Sequence, residues 1–394
     1  MTPTRKKRPA RQIARARLAA GLVGLGMSLL ASAGCGSSEV VQEAPKVPEA
    51  RKTAVAKMVR AVESASRPET IDQAIALLRE AVAEDPQLWE ARFNLGVLLA
   101  QRGELAAARH ELEQAHALAP NAEDVAAALG EVLRRSDDAK AAASVLSEFV
   151  RNFPGATRAR RVLITALRES GQLDEALVRA RELLRQAPGD PAALAELALT
   201  HLENGQVEVA ELLIQEALEV EPRSAVVERA AGLIALKRGE DALAFAHFAK
   251  ATELDPTDTA AGLNTGTVLL QAGVYDRAEK HFRAVLAVEP DADAAKLGLA
   301  AALRGQGSRD KPAPYQAAEA LLKEILNATP GHWAALHNLA VLYSESMDRP
   351  AEATALYSEF LNLAPAEHPA RAKARKWVDE HSAPGAEASP RAAQ

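Results

Sequence analysis

Apolar positions recur with helical spacing along most of this chain, and they come as pairs of short runs. The clearest unit is Trp89 to Pro120, WEARFNLGVLLAQRGELAAARHELEQAHALAP. Leu95, Gly96 and Leu99 mark a first helix before Gly103; Ala108, Leu112 and Ala115 mark a second helix after it; Pro120 closes the unit. Steps of three and four place such residues on one helical face. The unit then recurs. Pro86, Pro120, Pro154, Pro188, Pro222, Pro256 and Pro290 stand 34 residues apart, Pro330 follows after 40 and Pro365 after 35. Twelve residues before each of these nine prolines stands an alanine: Ala74, Ala108, Ala142, Ala176, Ala210, Ala244, Ala278, Ala318 and Ala353. A fixed period of this length predicts a stacked array of helix pairs, because one pair cannot bury its apolar face alone.

Small residues mark where helices must come close. The alanine sits where a larger side chain would push two helices apart. Gly96, Gly130, Gly232 and Gly266, with Ala198, Ala300 and Ala340, do the same in the first helix of each pair. Gly103, Gly171, Gly205, Gly239, Gly273 and Gly307 fall between the two helices and suit a left-handed helix end. The third unit has Ser136-Asp137-Asp138 there, so a different turn is expected. Each proline stops a helix and leads into the next turn.

These residues resemble the tetratricopeptide repeat (TPR) family: Leu-Gly, then a large residue, then Gly, then the alanine with a large residue four positions on, then Pro. The resemblance covers residues 53–365 and holds its register over nine units. It implies an all-α protein, a right-handed superhelical α-solenoid of about nine helix pairs. The first unit, 53–86, is degenerate, with only its second helix, 71–84, keeping Ala74, Leu78 and Ala81. The eighth carries six extra residues, expected as a loop over 305–314 between its helices. Residues 366–381 read as a capping helix whose Trp377 covers the last open face while Arg371, Lys373, Arg375 and Lys376 face water. Residues 382–394, rich in Ala, Pro, Ser and Glu, are expected to be disordered.

The N-terminus reads as an export signal, residues 1–34. Arg5, Lys6, Lys7, Arg8, Arg11, Arg15 and Arg17 precede an apolar run from Leu18 to Ala33, then Gly34-Cys35. The run is short and glycine-rich for a membrane span. Cys35 is the one cysteine of the chain, so it has no internal disulfide partner. Its place resembles the lipobox of bacterial lipoproteins, which implies acylation of Cys35 and cleavage before it. Ser32 stands where that family usually has leucine. Gly36 rather than Asp follows, which by resemblance favours the outer membrane. Residues 35–52 then form a flexible tether.

Charge narrows the partners. The chain has 47 Lys and Arg against 53 Asp and Glu; without residues 1–34 the balance is 40 against 53, a net −13. An acidic balance argues against nucleic acid. Neither His110 and His116 nor His332 and His337 has a spacing that shares a helical face, and no metal-ligand, nucleophile or phosphate-loop motif occurs. His201, His247 and His281 read as structural. No cofactor is called for, and the chain reads as a non-enzyme.

The TPR resemblance implies that the first helices line a concave groove that binds proteins. Its family positions fall on Phe93, Arg134, Arg135, Arg158, Arg161 and Arg168 near the N-terminal end. Further on they fall on Leu199, Leu202, Val226, Leu233, Leu236, Leu263 and Leu270. The arginines could hold a carboxylate or acidic segment. The leucines could hold an apolar helix or extended peptide, since Leu197 and Leu212 already supply core. By layout the chain resembles the TPR lipoproteins of envelope machines, such as myxobacterial gliding-motility and type IV pilus systems. That resemblance implies a lipid-anchored scaffold facing the periplasm, with envelope proteins as partners. A pilotin-like assembly factor and a non-catalytic accessory of a polysaccharide or peptidoglycan enzyme are the alternatives.

Overall fold

A computed structural model describes residues 49–381, apart from 66, 68 and 69. The expected export signal, Cys35, most of the expected tether and residues 382–394 lie outside the described residues. The described chain is all helical: nineteen α-helices, one π-helical turn, and a single isolated bridge between Ser308 and Lys311. It divides into two compact units, meeting between Gln206 and Val207.

The first unit contains α1 (Glu49–Ser64), α2 (Ile71–Glu84), α3 (Trp89–Gln101), α4 (Leu105–Leu118), α5 (Glu123–Arg135), α6 (Ala139–Asn152), α7 (Thr157–Glu169), α8 (Leu173–Gln186) and α9 (Pro191–Glu203). The second contains α10 (Val207–Val220), α11 (Ala225–Lys237), α12 (Asp241–Leu254), α13 (Thr259–Gln271), α14 (Tyr275–Val288), α15 (Asp293–Gln306), α16 (Ala313–Ala328), α17 (Trp333–Val341), α18 (Pro350–Leu363) and α19 (Ala370–His381). Within each unit, consecutive helices pack in sequence order, as a solenoid of helix pairs requires. α1 starts four residues before the expected repeat boundary at 53 and buries Ala54, Met58 and Ala61.

The nine periodic alanines are all fully buried, at 0% exposure. The small residue of the first helix has a specific partner. A β-carbon on Gly96 would lie 2.6 Å from Leu112 Cγ, and one on Gly130 would lie 2.5 Å from Leu146 Cδ1. The large residue of the second helix therefore fills the space left by the missing side chain of the first, and helix separation follows.

The turn between paired helices is one repeated device. Gly103 has φ +77°; its N–H donates to Ala100 C=O at 3.2 Å, and the next N–H, of Glu104, donates to Leu99 C=O at 3.0 Å. That is a Schellman end. The third repeat was expected to turn differently, yet Asp137 takes the same left-handed conformation, φ +58°, and Asp138 N–H donates to Leu133 C=O at 3.0 Å. Aspartate tolerates that region better than most side chains. Gly307 departs from expectation the other way: its φ of −72° and ψ of 155° are extended.

The eighth repeat absorbs much of its insertion into helix. α15 runs on to Gln306 and α16 begins at Ala313, so Gly305, Gln306, Ala313 and Pro314 are helical rather than loop. The residues left over close a tight turn, with Lys311 N–H donating to Ser308 C=O at 3.0 Å. Tyr315 lies over Gly307, and Tyr275 lies over Gly305. In the ninth repeat the single extra residue goes elsewhere. α17 passes into a π-helical turn, Leu342–Ser346, and a π-turn takes up one residue without breaking the helix. Asp348, φ +52°, then reverses the chain, and Arg349 N–H donates to Tyr343 C=O at 3.0 Å.

Every second repeat also places a charge at the same point of its first helix, partly buried at Arg92 and buried at Arg160, Glu228 and Lys296. Arg92 pairs with Glu111 at 2.8 Å, Arg160 with Glu182 at 3.8 Å, and Lys296 with Glu324 at 2.8 Å. Glu228 is 1% exposed and meets His247 at 2.7 Å and Lys250 at 2.5 Å. The intervening repeats have Ala126, Leu194 and Gly262 there. Each partner lies on the second helix of the same repeat, so the ion pair staples a helix pair internally.

Candidate functional site: the faces built by the first helices

In the first unit these faces belong to α3, α5, α7 and α9. The expected groove residue Phe93 is not on the surface; at 1% exposure it is core. Most arginines of the expected cluster are engaged in ion pairs. Arg134 bonds to Glu131 at 3.1 Å and to Glu169 of the next repeat. Arg168 meets Glu203 at 2.7 Å and Glu196 at 3.5 Å. Arg158 meets Asp124 at 2.6 Å. Burial would lower the Arg134 guanidinium, but Glu131 and Glu169 outweigh it and hold it above the ordinary arginine value. Arg134–Glu169 and Arg168–Glu203 repeat one register, and Arg304–Glu345, 3.2 Å, continues it in the second unit. The arginines thus serve as rungs between neighbouring repeats. Arg161 is the exception: half-buried on α7, it makes no ion pair among the described residues.

Glu123 adds a second link. Its Oε1 accepts from Arg158 N–H at 2.6 Å and Ala159 N–H at 3.1 Å. It therefore caps the first turn of α7 from the preceding repeat, where free amide donors favour a carboxylate.

Where α3, α5 and α7 meet, a cleft of about 330 Å³ remains. Ala100, Ala127 and Ala128 form its floor, Val97 and Val162 its sides, and Glu131, Arg135 and Arg158 its rim. The sequence reading missed this cleft, although the small residues at groove positions 100 and 127 were its signal.

The leucine stripe divides at the unit boundary. Leu199 and Leu202, in the first unit, are buried at 5% and 8% exposure and belong to core. In the second unit Leu233, Leu236, Leu263 and Leu270 are only half-buried, and Val226 is 37% exposed. Leu233 and Leu236 pack beside Ala235, Phe248 and Val268. Leu263 and Leu270 pack beside the core that holds Leu269, Phe282 and Leu299. Their outer surfaces form an apolar strip on α11 and α13. Leu197 is core as expected, but Leu212 is 66% exposed on α10 and supplies none. Its face of α10 points away from Ala210, Ile214 and Ala217, which carry the packing.

Candidate chemistry elsewhere is structural. His201 is buried and its Nδ1 contacts Gln206 Oε1 at 2.5 Å. His247 meets Glu228, and Phe248 and Phe282 beside His247 and His281 are core. Among the described residues no group of His, Cys, Asp and Glu is arranged to hold a metal ion, and no helix is long and apolar enough to cross a membrane. α19 covers the end of the second unit, with Ala374 buried and Trp377 Nε1 donating to Thr354 Oγ1 at 3.1 Å. Arg371 was expected to face water. Instead it donates to the carbonyls of Leu361 and Ala364, at 2.7 and 2.9 Å, and satisfies the free end of α18.

The chain belongs to the tetratricopeptide repeat family. Two tetratricopeptide repeat models match it, one over residues 69–132 and 167–236, the other over 127–191 and 263–311. No curated protein matches it. Among solved structures it is similar to the Cut9–Hcn1 hetero-tetramer of APC/C, with TM-score 0.53 and 15% identity over 84% of this chain and 63% of that one. It is also similar to pilF of Pseudomonas aeruginosa, with TM-score 0.46 and 19% identity over 57% of this chain and 97% of that one. A third is YrrB, described as a TPR protein with an unusual peptide-binding site, with TM-score 0.38 and 24% identity over 44% of this chain and 89% of that one. The first supports the repeat fold.

Proposed function

We propose that this chain is a lipid-anchored, non-catalytic scaffold of a bacterial cell envelope, gathering proteins on the first-helix faces of its repeats. The observation that carries the binding reading is the strip of Leu233, Leu236, Leu263 and Leu270. Evolved cores bury leucine, and here four at groove positions keep solvent-facing surface within well-packed helices. Such a strip fits the apolar face of a helix or an extended peptide. The anchoring part rests on Cys35 after Ser32-Ala33-Gly34, behind a basic and then apolar leader. Acylation there would place the repeats beside an envelope membrane, and more than one chain is needed for firm attachment. A machine of the gliding-motility or type IV pilus kind, at the periplasmic face of the outer membrane, is the setting this layout fits.

Two measurements test the reading. Replacing Leu236, Leu263 and Leu270 with Ser should leave helix content intact and abolish the cross-linked partners recovered from cells. Unchanged recovery refutes the strip. Cys35→Ser should stop palmitate labelling and release the protein from membranes; a labelled or membrane-bound variant refutes the anchor.

A further inference from the structure

The two units present different first-helix faces, and the difference lies at matched repeat positions. Ala127 holds in the third repeat the place that Leu263 holds in the seventh; Ala100 holds in the second the place of Leu236 and Leu270. Leucines fill that surface in the second unit. Ala100 of the second repeat and Ala127 of the third leave it hollow there, where the 330 Å³ cleft lies between α3, α5 and α7. A hollow of roughly 300 Å³ is at the lower bound for pockets that enclose a small ligand, and it is ample for one large side chain.

The rim carries Glu131 against Arg135 and Arg158, and the neighbouring helix adds an excess of positive charge. α7 carries four arginines and one glutamate. Arg160 is buried against Glu182, and Arg158 and Arg168 are matched by Asp124, Glu196 and Glu203. Arg161 alone of the four lacks such a partner among the described residues. It lies one helical turn from Arg158 and next to Val162, both of which line the hollow. With no carboxylate on it among the described residues, its guanidinium can donate a charge-assisted bond to an incoming acid.

We propose that the hollow receives one large apolar side chain, Leu, Phe or Trp, from a partner segment that carries Asp or Glu beside that anchor, with the acid pairing to Arg161. This rests on the reading of the first-helix faces as docking surfaces. It assigns the first unit a different ligand chemistry from the leucine strip: an anchored acidic segment rather than an apolar face.

Random heptapeptides displayed on phage and selected on the full chain test this. Sequences with an aromatic or leucine residue flanked by Asp or Glu should be enriched, and their recovery should fall at least tenfold on Ala128→Leu, which fills the hollow from a partly exposed position. Arg161→Glu leaves the hollow open and should switch the flanking preference from acidic to basic; this readout stands should Ala128→Leu lose helix content. Equal recovery on a folded Ala128→Leu, absence of acidic flanks, or no enrichment at all overturns the proposal. Peptides that survive Ala128→Leu but are lost on Leu236→Ser/Leu270→Ser belong to the second unit's strip. They would overturn this inference while leaving the docking reading intact.

Discussion

Gly232 of α11 faces the ring of Phe248 of α12 so closely that a β-carbon on the glycine would lie 2.5 Å from two ring atoms. Phe248 is 0% exposed, so the ring has no free space to retreat into. Gly232→Val should therefore destabilise the second unit by roughly 1–3 kcal/mol, the usual cost of overpacking. Solenoid repeats unfold locally, so amide hydrogen exchange is the fitting measurement. Loss of protection should be largest in α11 and α12 and fade within a repeat or two. Wild-type protection in the variant would show that the pair does not set the helix spacing.

Glu319 of α16 holds the last repeat together. Its carboxylate accepts from Lys323 Nζ at 2.6 Å, Tyr343 hydroxyl at 2.7 Å and Arg349 at 2.9 Å. Burial alone would raise it, but those three donors outweigh burial and lower it to about 2. A depressed carboxylate stabilises the fold above its unfolded pKa and loses that contribution as pH falls through the folded one. The end of the second unit should thus lose stability between about pH 4.5 and 2. Glu319→Gln should cost about 2 kcal/mol at neutral pH and flatten that acid slope. Thermal melts of both proteins across the range check it; parallel curves would refute it.

Asp137 offers a stabilising change. It is exposed and holds φ +58°, where a side chain costs about 1 kcal/mol and glycine is free of that cost. Asp137→Gly should stabilise the third repeat by up to about 1 kcal/mol. Gly103→Ala, at φ +77°, should destabilise the second by a similar amount. Denaturant titration of the two variants should show opposite shifts.

Arg160 tests the buried charges. At 3% exposure it donates to Pro154 C=O at 2.6 Å, and burial holds its guanidinium below the ordinary arginine value. Buried ion pairs are seldom strongly stabilising against a well-packed apolar replacement. Arg160→Met should cost under about 1.5 kcal/mol, whereas Arg160→Ala should cost roughly 2–4 through the cavity it leaves. Urea unfolding should separate the two variants; equal losses would mean the charge, not the stem, carries the contribution.

Much of the fold was legible in the residues. The periodic alanines and prolines placed every helix pair, because a residue that must be small or must end a helix leaves a mark independent of its neighbours. The turn at Asp137 was not legible, since the signal there is a backbone angle that glycine announces and aspartate conceals. The face was read less well than the fold. Phe93, Leu199 and Leu202 stood at groove positions yet are core, and Arg134 and Arg168 proved to be rungs to Glu169 and Glu203. A helical register says which way a side chain leaves its own helix. It does not say what the next helix brings against it.

The one-residue surplus before Pro365 shows the same division. Counting along the chain determined that the ninth repeat carries an extra residue, as it determined the helix pairs, the turns at Gly103, Gly171, Gly205, Gly239 and Gly273, and the acidic balance. Only packing in three dimensions decided where that residue goes: into the π-turn Leu342–Ser346, where Tyr343 is buried and Arg349 stacks over its ring at 3.9 Å. The physical reason is locality. Period and chain stops act within one repeat and are written there, while exposure, ion-pair partners and the hollow lined by Ala128 are set by side chains from neighbouring repeats, 30 or more residues away.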